Sequence, residues 1–256
     1  MKREVIKNRK GEKIVVVVEV APAQNGLVFV MHGNASNKDL PQIIIFAQAF
    51  KEKNYTVVRF DTTNSSGESD GSLEDATMTN YYEDLEDVID WASGQSFYEE
   101  PFILVGHSLG SMAIALFAQK YPEKVKALAP ISMVVSGKLS EQTAEFKEIS
   151  QGWEKKGVRQ WQSKTMPGVT KRLKWNHVLD KRKYDLLPEA GKLTMSVLMI
   201  VGEQDDVTPL EHQKLFYEKL SGKKELHIIK GAGHAFIKQE HLDEVREIMG
   251  RWAEKI

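Results

Sequence analysis

Cysteine does not occur anywhere in the 256 residues of this chain. Disulfide bonds and thiolate metal sites are therefore excluded, and the redox state of the compartment stays open. Long apolar runs near the start are missing too. The longest, Ile14 to Val18, has five residues, too few for an export signal or a membrane span. The formal net charge of −1 gives no overall attraction to nucleic acid or to an anionic membrane. We expect a cytoplasmic protein with no membrane span and no nucleic-acid partner.

The rest of the composition fits one folded core. A chain of this length can bury a sizeable core, and 41% hydrophobic with 28% charged residues is ordinary for a globular protein. Strand and helix patterns alternate along most of the chain, which predicts crossover units on a parallel sheet. The predicted strands are 14–20, 27–31, 55–60, 102–105, 125–131, 197–201 and 225–229, the first forming an edge hairpin with residues 5–6. Pro130 is expected to break the strand at 125–131.

Amphipathic helices are predicted between these strands. One of them, at 81–91, places several acidic side chains on its outward face: Glu83, Asp84, Glu86 and Asp87. We expect a solvated face from them rather than a metal site, because acidic residues are common near a helix N-terminus.

The most informative stretch is the pentapeptide Gly-His-Ser-Leu-Gly at residues 106–110. An apolar strand, 102–105, comes directly before it, and an Ala- and Leu-rich helix pattern follows and stops at Pro122. In this strand–turn–helix context, a Gly-x-Ser-x-Gly motif predicts a nucleophile elbow with Ser108 at its apex. The two glycines have no Cβ atom to collide where the strand meets the helix. The alternative is a glycine-rich turn with an incidental serine.

With this motif, the chain resembles the α/β-hydrolase superfamily of serine hydrolases. It is most similar to the small bacterial esterases of the cinnamoyl/feruloyl-esterase-like and monoacylglycerol-lipase-like group. The resemblance covers nearly the whole chain and implies an α/β-hydrolase fold: a mostly parallel central sheet with helices on both faces and an inserted cap. Residues 67–71 resemble a family loop, whereas residues 62–66 depart from its pattern and are one residue longer.

A serine nucleophile needs a base, and this fold supplies an acid and then a histidine later in the chain. Behind the strand that ends at Val201, the family pattern Gly-x-x-Asp with a proline four residues beyond selects Asp205. The neighbouring Asp206 is the alternative, and it could instead cap the next helix.

The base is expected after the last strand, where residues 231–236 match the family pattern Gly-x-x-His-x-Phe. This match assigns the base to His234. His32, His107 and His227 have structural interpretations, and the remaining histidines are interpreted as surface positions: His177, His212 and His241. No metal site is expected, since no His-Glu-x-x-His or similar ligand cluster occurs.

The reaction also needs two N–H donors for a tetrahedral oxyanion. One is expected from Leu109, the residue after the nucleophile. The other is expected from Asn34, because residues 32–34 match the family's His-Gly-x. Ser108 would attack an ester carbonyl, His234 would take its proton, and no cofactor would be needed.

Residues 137–196 interrupt the alternation of strands and helices. This 60-residue segment has 13 lysine and arginine residues against seven aspartate and glutamate residues, a net charge of +6. The resemblance implies a cap here, inserted between two parts of one core, 1–136 and 197–256. Its tryptophans, Trp153, Trp161 and Trp175, are interpreted either as contacts for an aromatic acyl group or as the small core of the cap.

We therefore expect a carboxylic-ester hydrolase acting on small or medium acyl and aryl esters, with a small-molecule ester as its partner. The same three residues serve lipases, thioesterases, aminopeptidases and acyltransferases, so these alternatives remain. A non-catalytic binding protein on the same fold is the alternative from another class. The sequence leaves a homodimer open.

Overall fold

A computed structural model describes residues 1–163 and 167–256. Its strands are β1 (Lys2–Lys7), β2 (Lys13–Glu19), β3 (Leu27–Met31), β4 (Thr56–Phe60), β5 (Phe102–His107), β6 (Val125–Ile131), β7 (Val158–Gln162), β8 (Thr170–Lys174), β9 (Ser196–Gly202) and β10 (Lys224–Ile229). Its helices are α1 (Pro41–Lys51), α2 (Met78–Ser93), α3 (Leu109–Lys120), α4 (Gly137–Ser140), α5 (Ala144–Lys156), α6 (Asn176–Lys181), α7 (Leu210–Lys219) and α8 (Gln239–Ala253). No helix in the described residues is long and apolar enough to cross a membrane.

Eight strands form one sheet, in the order β1-β2-β4-β3-β5-β6-β9-β10. The pairs β1–β2 and β2–β4 are antiparallel, and the other pairs are parallel. The predicted edge hairpin and mostly parallel sheet are therefore confirmed. Parallel strands bring their carboxyl ends to one edge, and the loops that follow β3, β5, β9 and β10 meet there.

Helices cover both faces of this sheet. Leu27 and Phe29 of β3 point into a core shared with α2 and α3, while Val28 and Val30 point into a core shared with α1 and α8. This alternation is what a strand buried on both faces requires, and it accounts for the continuous apolar run at 27–31.

The expected break at Pro130 does not occur. β6 continues through Pro130, which pairs in register with Gly106 of β5. Proline has no N–H to donate, and the interruption of strand pairing is seen on the other side of β6. There β6 pairs with β9 at Leu128 and next at Ile131.

One acidic residue of α2 does not face solvent as expected. Asp84 is buried and accepts hydrogen bonds from the backbone N–H and hydroxyl of Thr63 and from the amides of Asn8 and Asn80. Burial raises its pKa to about 6, against the effect of these hydrogen bonds. Asp84 therefore anchors the unusual loop that follows β4.

Residues 137–196 contain α4, α5, the antiparallel pair β7–β8 and α6, and residues 164–166 lie outside the described part of this segment. The segment packs on the α2 side of the sheet. Thr79 of α2 donates two hydrogen bonds of 2.8 Å to Asp180, and the Gln119 amide donates one of 2.8 Å to the Leu186 carbonyl. Its apolar side chains join the core on that face of the sheet.

Candidate active site

Ser108 lies between the end of β5 and the start of α3 with φ 55° and ψ −117°. A positive φ is unfavourable for a residue with a side chain, and such strain is found where a side chain must be held in one direction. The surrounding glycines make this turn possible. A Cβ on Gly106 would lie 2.8 Å from the backbone of Gly110, and one on Gly110 would lie 2.3 Å from the His32 carbonyl.

His234 lies on the loop after β10 and contacts this serine. Its Nε2 is 2.9 Å from Ser108 Oγ, and its Nδ1 is 2.9 Å from Asp205 Oδ2. A carboxylate at Nδ1 holds the proton there and leaves Nε2 free to accept one from the hydroxyl. The structure thus brings together the three side chains that the sequence singled out.

Asp205 is held in place by backbone and hydroxyl donors on the loop after β9. It accepts 2.8 Å hydrogen bonds from the N–H and the hydroxyl of Thr208. Burial alone would raise the pKa of Asp205, but the His234 imidazole and the Thr208 N–H outweigh burial and lower it to about 2. Asp205 is therefore a carboxylate at any pH near neutral.

Asp206 has a different environment. Its side chain is exposed, whereas Asp205 is 5% exposed. It does not cap α7, because Pro209 occupies the N-cap and no side chain accepts a capping hydrogen bond there. Of the two acids, only Asp205 contacts His234 in the described residues.

The two expected oxyanion donors lie on either side of the serine. A Cβ on Gly33 would be 2.9 Å from Ser108 Cβ, so the loop carrying Asn34 passes directly beside the nucleophile. Leu109 is the first residue of α3, where an N–H has no partner within the helix. No hydrogen bond between described residues uses the backbone N–H of Asn34 or Leu109.

His107 has a role that the sequence did not indicate. Its Nε2 lies 2.9 Å from the backbone carbonyl of His234 and donates to it. Burial, followed by the neighbouring His234 imidazole, lowers the pKa of His107 to about 3, so the ring is neutral. His107 therefore fixes the loop that carries His234. No spacing rule predicts this contact, since the variable position of the pentapeptide is far from residue 234 in the chain.

The interpretation of the other histidines as surface residues is wrong for two of them. His177 and His241 are buried, and His212 is half-buried. His177 lies on the inner side of α6, with Nδ1 3.0 Å from the Ala76 carbonyl and its ring stacked on Trp153. A six-residue helix without an apolar repeat gives no sequence signal for this burial.

A cavity of about 630 Å³ opens above Ser108 and His234. Its walls come from the loop at 34–36, from the loops after β9 and β10, and from residues 137–196. Trp153 and Trp161 line it. Trp175 does not belong to this lining among the described residues. It packs edge-on against Trp153 at 5.5 Å and stacks on Phe146, so it is part of the core of the segment.

The described residues contain no group of three or more His, Cys, Asp or Glu side chains that could hold a metal ion. The polar side chains around the serine form one hydrogen-bonded chain instead, from Asp205 through His234 to Ser108. Such a chain can remove a proton from a hydroxyl and return it to a leaving group.

Comparison with known proteins places this geometry in a family. Residues 26–155 match the family described as alpha/beta hydrolase fold, and residues 100–256 match one described as PhoPQ-activated pathogenicity-related protein. Mitochondrial palmitoyl-protein thioesterase ABHD10 of Bos taurus is 28% identical over 184 residues, which cover 72% of this chain and 58% of the bovine protein. The chain thus spans less than two thirds of the length of that relative. An Escherichia coli protein, "Uncharacterized 31.7 kDa protein in traX-finO intergenic region", is 26% identical over 90% of both chains.

Solved structures share the fold over nearly the full length. Est1E from Butyrivibrio proteoclasticus with bound ferulic acid superposes with a TM-score of 0.82 at 21% identity, covering 98% of each chain. Mouse alpha/beta hydrolase domain-containing protein 10 has a TM-score of 0.80 at 20% identity, covering 100% of this chain and 99% of its own. The family match spans half of the chain and includes the strand, turn and helix around Ser108, and the chain therefore belongs to the α/β-hydrolase fold family.

Proposed function

We propose that this chain is a serine hydrolase that cleaves carboxylic esters and thioesters through an acyl-enzyme on Ser108. The contact that carries the proposal is the 2.9 Å separation of His234 Nε2 from Ser108 Oγ, with Asp205 on the opposite ring nitrogen. A serine hydroxyl is a weak nucleophile at neutral pH, and an adjacent oriented imidazole is what activates it.

In the proposed reaction, Ser108 Oγ attacks the substrate carbonyl as His234 Nε2 takes its proton. The carbonyl oxygen becomes an oxyanion, which accepts hydrogen bonds from the N–H groups of Asn34 and Leu109. His234 then protonates the leaving alcohol or thiol as the bond to the acyl carbon breaks. Water, deprotonated by the same imidazole, attacks the acyl-enzyme and releases the acid and free Ser108.

Esters and thioesters are both included because the same residues serve both leaving groups. The ABHD10 relatives are named palmitoyl-protein thioesterases, and a structure of similar fold is that of Est1E with ferulic acid bound. The first name concerns hydrolysis of a thioester, and the second concerns binding of a carboxylic acid. The mammalian relatives are named mitochondrial. The cytoplasmic location expected from the sequence therefore stays a prediction, as does a homodimer.

The proposal gives residues 137–196 the part of a cap over a core formed by residues 1–136 and 197–256. Trp153 and Trp161 line the cavity from this segment and are the side chains proposed to contact the acyl or alcohol part of the substrate. The cavity volume of about 630 Å³ falls in the usual range for small-molecule sites.

Turnover of p-nitrophenyl butyrate and of the neutral thioester S-phenyl thiobutyrate tests the proposal. Wild-type protein should hydrolyse both, and Ser108→Ala should lower kcat on the order of 10⁴- to 10⁶-fold because the nucleophile is gone. Ser93→Ala, an exposed serine at the end of α2, is the control and should behave as wild type. Wild-type turnover by folded Ser108→Ala protein would contradict the proposal.

A further inference from the structure

One wall of the cavity is positively charged. Residues 137–196 contribute three basic side chains to its lining, Arg159, Lys171 and Lys181, and one acidic side chain, Glu145. Arg159 lies 3.7 Å from Glu145, so its charge already has a counterion. None of the ion pairs within 4.0 Å between described residues includes Lys171 or Lys181.

Lys171 occupies a position where an apolar residue would be expected. Along β8, exposed and buried residues alternate, and Lys171 and Leu173 are the two buried ones. Lys171 is 5% exposed, and its ammonium donates a hydrogen bond to the Ala35 carbonyl, next to the proposed oxyanion donor Asn34. The other two N–H groups of the ammonium have no partner among the described residues.

A buried ammonium with a single neutral acceptor is costly. Burial disfavours the charged form, and it lowers the pKa of Lys171 below its ordinary value. A hydrogen bond to a backbone carbonyl compensates only part of the hydration that the ammonium loses on burial. An anion within hydrogen-bond distance adds a charge–charge attraction that compensates more of it. Leucine or methionine at this position would pack without the cost.

Lys181, at the end of α6, is half-buried and is a second basic side chain in this wall. Its ammonium lies 6.0 Å from the centre of the Phe146 ring. Burial lowers its pKa to about 8, although Glu141 and Glu145 oppose the change. Its charge is also the second cause, after burial, that lowers the pKa of the neighbouring His177. At neutral pH the cavity wall therefore holds a second cation without an ion-pair partner.

We infer that Lys171, supported by Lys181, binds an anionic group of the substrate, so that the preferred substrates are esters or thioesters with a carboxylate or phosphate on the acyl or alcohol part. This inference rests on the proposed function for the reaction and adds the substrate class. The anion would complete the hydrogen bonding of Lys171 and place the scissile carbonyl beside Asn34, one residue from the Ala35 carbonyl. A purely structural lysine, tying β8 to the 34–36 loop, would give no such preference.

Two matched ester pairs test the inference. On the acyl side, mono-p-nitrophenyl glutarate is compared with p-nitrophenyl valerate, which has the same chain length and no charge. On the alcohol side, the butyrate ester of 4-hydroxybenzoate is compared with that of 4-hydroxybenzamide. In at least one pair, wild-type kcat/KM should favour the anion by roughly 10- to 100-fold, the scale of one or two charge-assisted hydrogen bonds.

Lys171→Met should reduce that anion-to-neutral ratio at least about tenfold, since methionine keeps the volume and removes the charge. Lys174→Met is the matched control, because Lys174 lies on the opposite, exposed face of β8 and pairs with Asp75. It makes the same change in net charge and should leave the ratio unchanged. An equal fall of both esters in Lys171→Met would assign the lysine a structural role and overturn the inference.

Binding of glutarate to Ser108→Ala protein, measured by calorimetry, separates this inference from the proposed function. Binding that weakens at least about tenfold on adding Lys171→Met supports the anion site whether or not any ester is hydrolysed. Hydrolysis of both pairs without an anion preference, together with no glutarate binding, would leave the hydrolase proposal standing and overturn the anion site.

Discussion

The hydrogen-bonded serine site and the cavity wall opposite it satisfy their polar groups in different ways. At the serine site, Asp205 accepts hydrogen bonds from Thr208 and His234, and His234 reaches Ser108, so each side chain has a partner within the chain. On the wall formed by residues 137–196, neither Lys171 nor Lys181 has an ion-pair partner within 4.0 Å among the described residues. The first arrangement is complete in itself, whereas the second is complete only with a ligand.

This difference follows from the secondary structure that supports each region. The serine site rests on closely packed backbone at glycines and parallel strands, since a Cβ on Gly106 would lie only 2.8 Å from the backbone of Gly110. Chemistry needs such fixed geometry, because small displacements of reacting groups are costly. The cavity wall is built from α5, α6 and a two-stranded sheet, none of which belongs to the sheet that carries the serine. We therefore expect the reaction to depend on the first region and the choice of substrate on the second.

Among changes that test this contrast, the largest effect is expected at the two adjacent acids. Asp205→Asn should lower kcat roughly 10³- to 10⁴-fold, because an amide at His234 Nδ1 favours the wrong imidazole tautomer. Asp206→Asn, the matched control one residue away, should change kcat by less than about tenfold. Steady-state kinetics with p-nitrophenyl butyrate checks both variants. A larger fall in kcat for Asp206→Asn than for Asp205→Asn would assign the role of the acid to Asp206. It would also contradict the contrast between the serine site and the cavity wall.

A smaller effect should separate two tryptophans within the 137–196 segment. Trp175→Ala removes a buried ring that packs on Trp153 and Phe146, and it should lower the free energy of unfolding by about 3–5 kcal/mol. Trp161→Ala should cost only about 1 kcal/mol, since the ring is half-buried, but it should change the ranking of large against small esters. Urea unfolding and an ester panel measure the two quantities. An unchanged ranking in Trp161→Ala would place substrate choice elsewhere.

Much of the serine site could be predicted from the sequence because its backbone geometry requires particular residues at fixed spacings. A serine at φ 55° between two glycines needs a short and specific pattern. The acid follows β9, which is apolar from Val197 to Val201, and the histidine follows β10, the last strand of the chain. The same reason explains why the sheet and its order of elements were predictable. The break expected at Pro130 is absent because its missing N–H interrupts pairing with β9 and leaves the pairing with β5 in register.

The remaining features depend on tertiary contacts that leave no periodic signal. Asp84 has the sequence context of a solvated helix face, yet Thr63 and Asn80 provide donors that make its burial tolerable. The β7–β8 hairpin carries charged residues on its exposed face, so its alternation is not apolar enough to identify. His107 acts through the carbonyl of a residue 127 positions away. Each of these is fixed by a partner distant in the chain.

The measurement that tests the central claim most directly is reaction of the intact protein with a fluorophosphonate, followed by mass spectrometry. If His234 activates Ser108, one phosphonyl group should be added per chain, and peptide mapping should locate it on Ser108. His234→Ala should slow labelling by several orders of magnitude, because the hydroxyl then has no base. Absence of labelling in folded wild-type protein, or a label on a residue other than Ser108, would contradict the account.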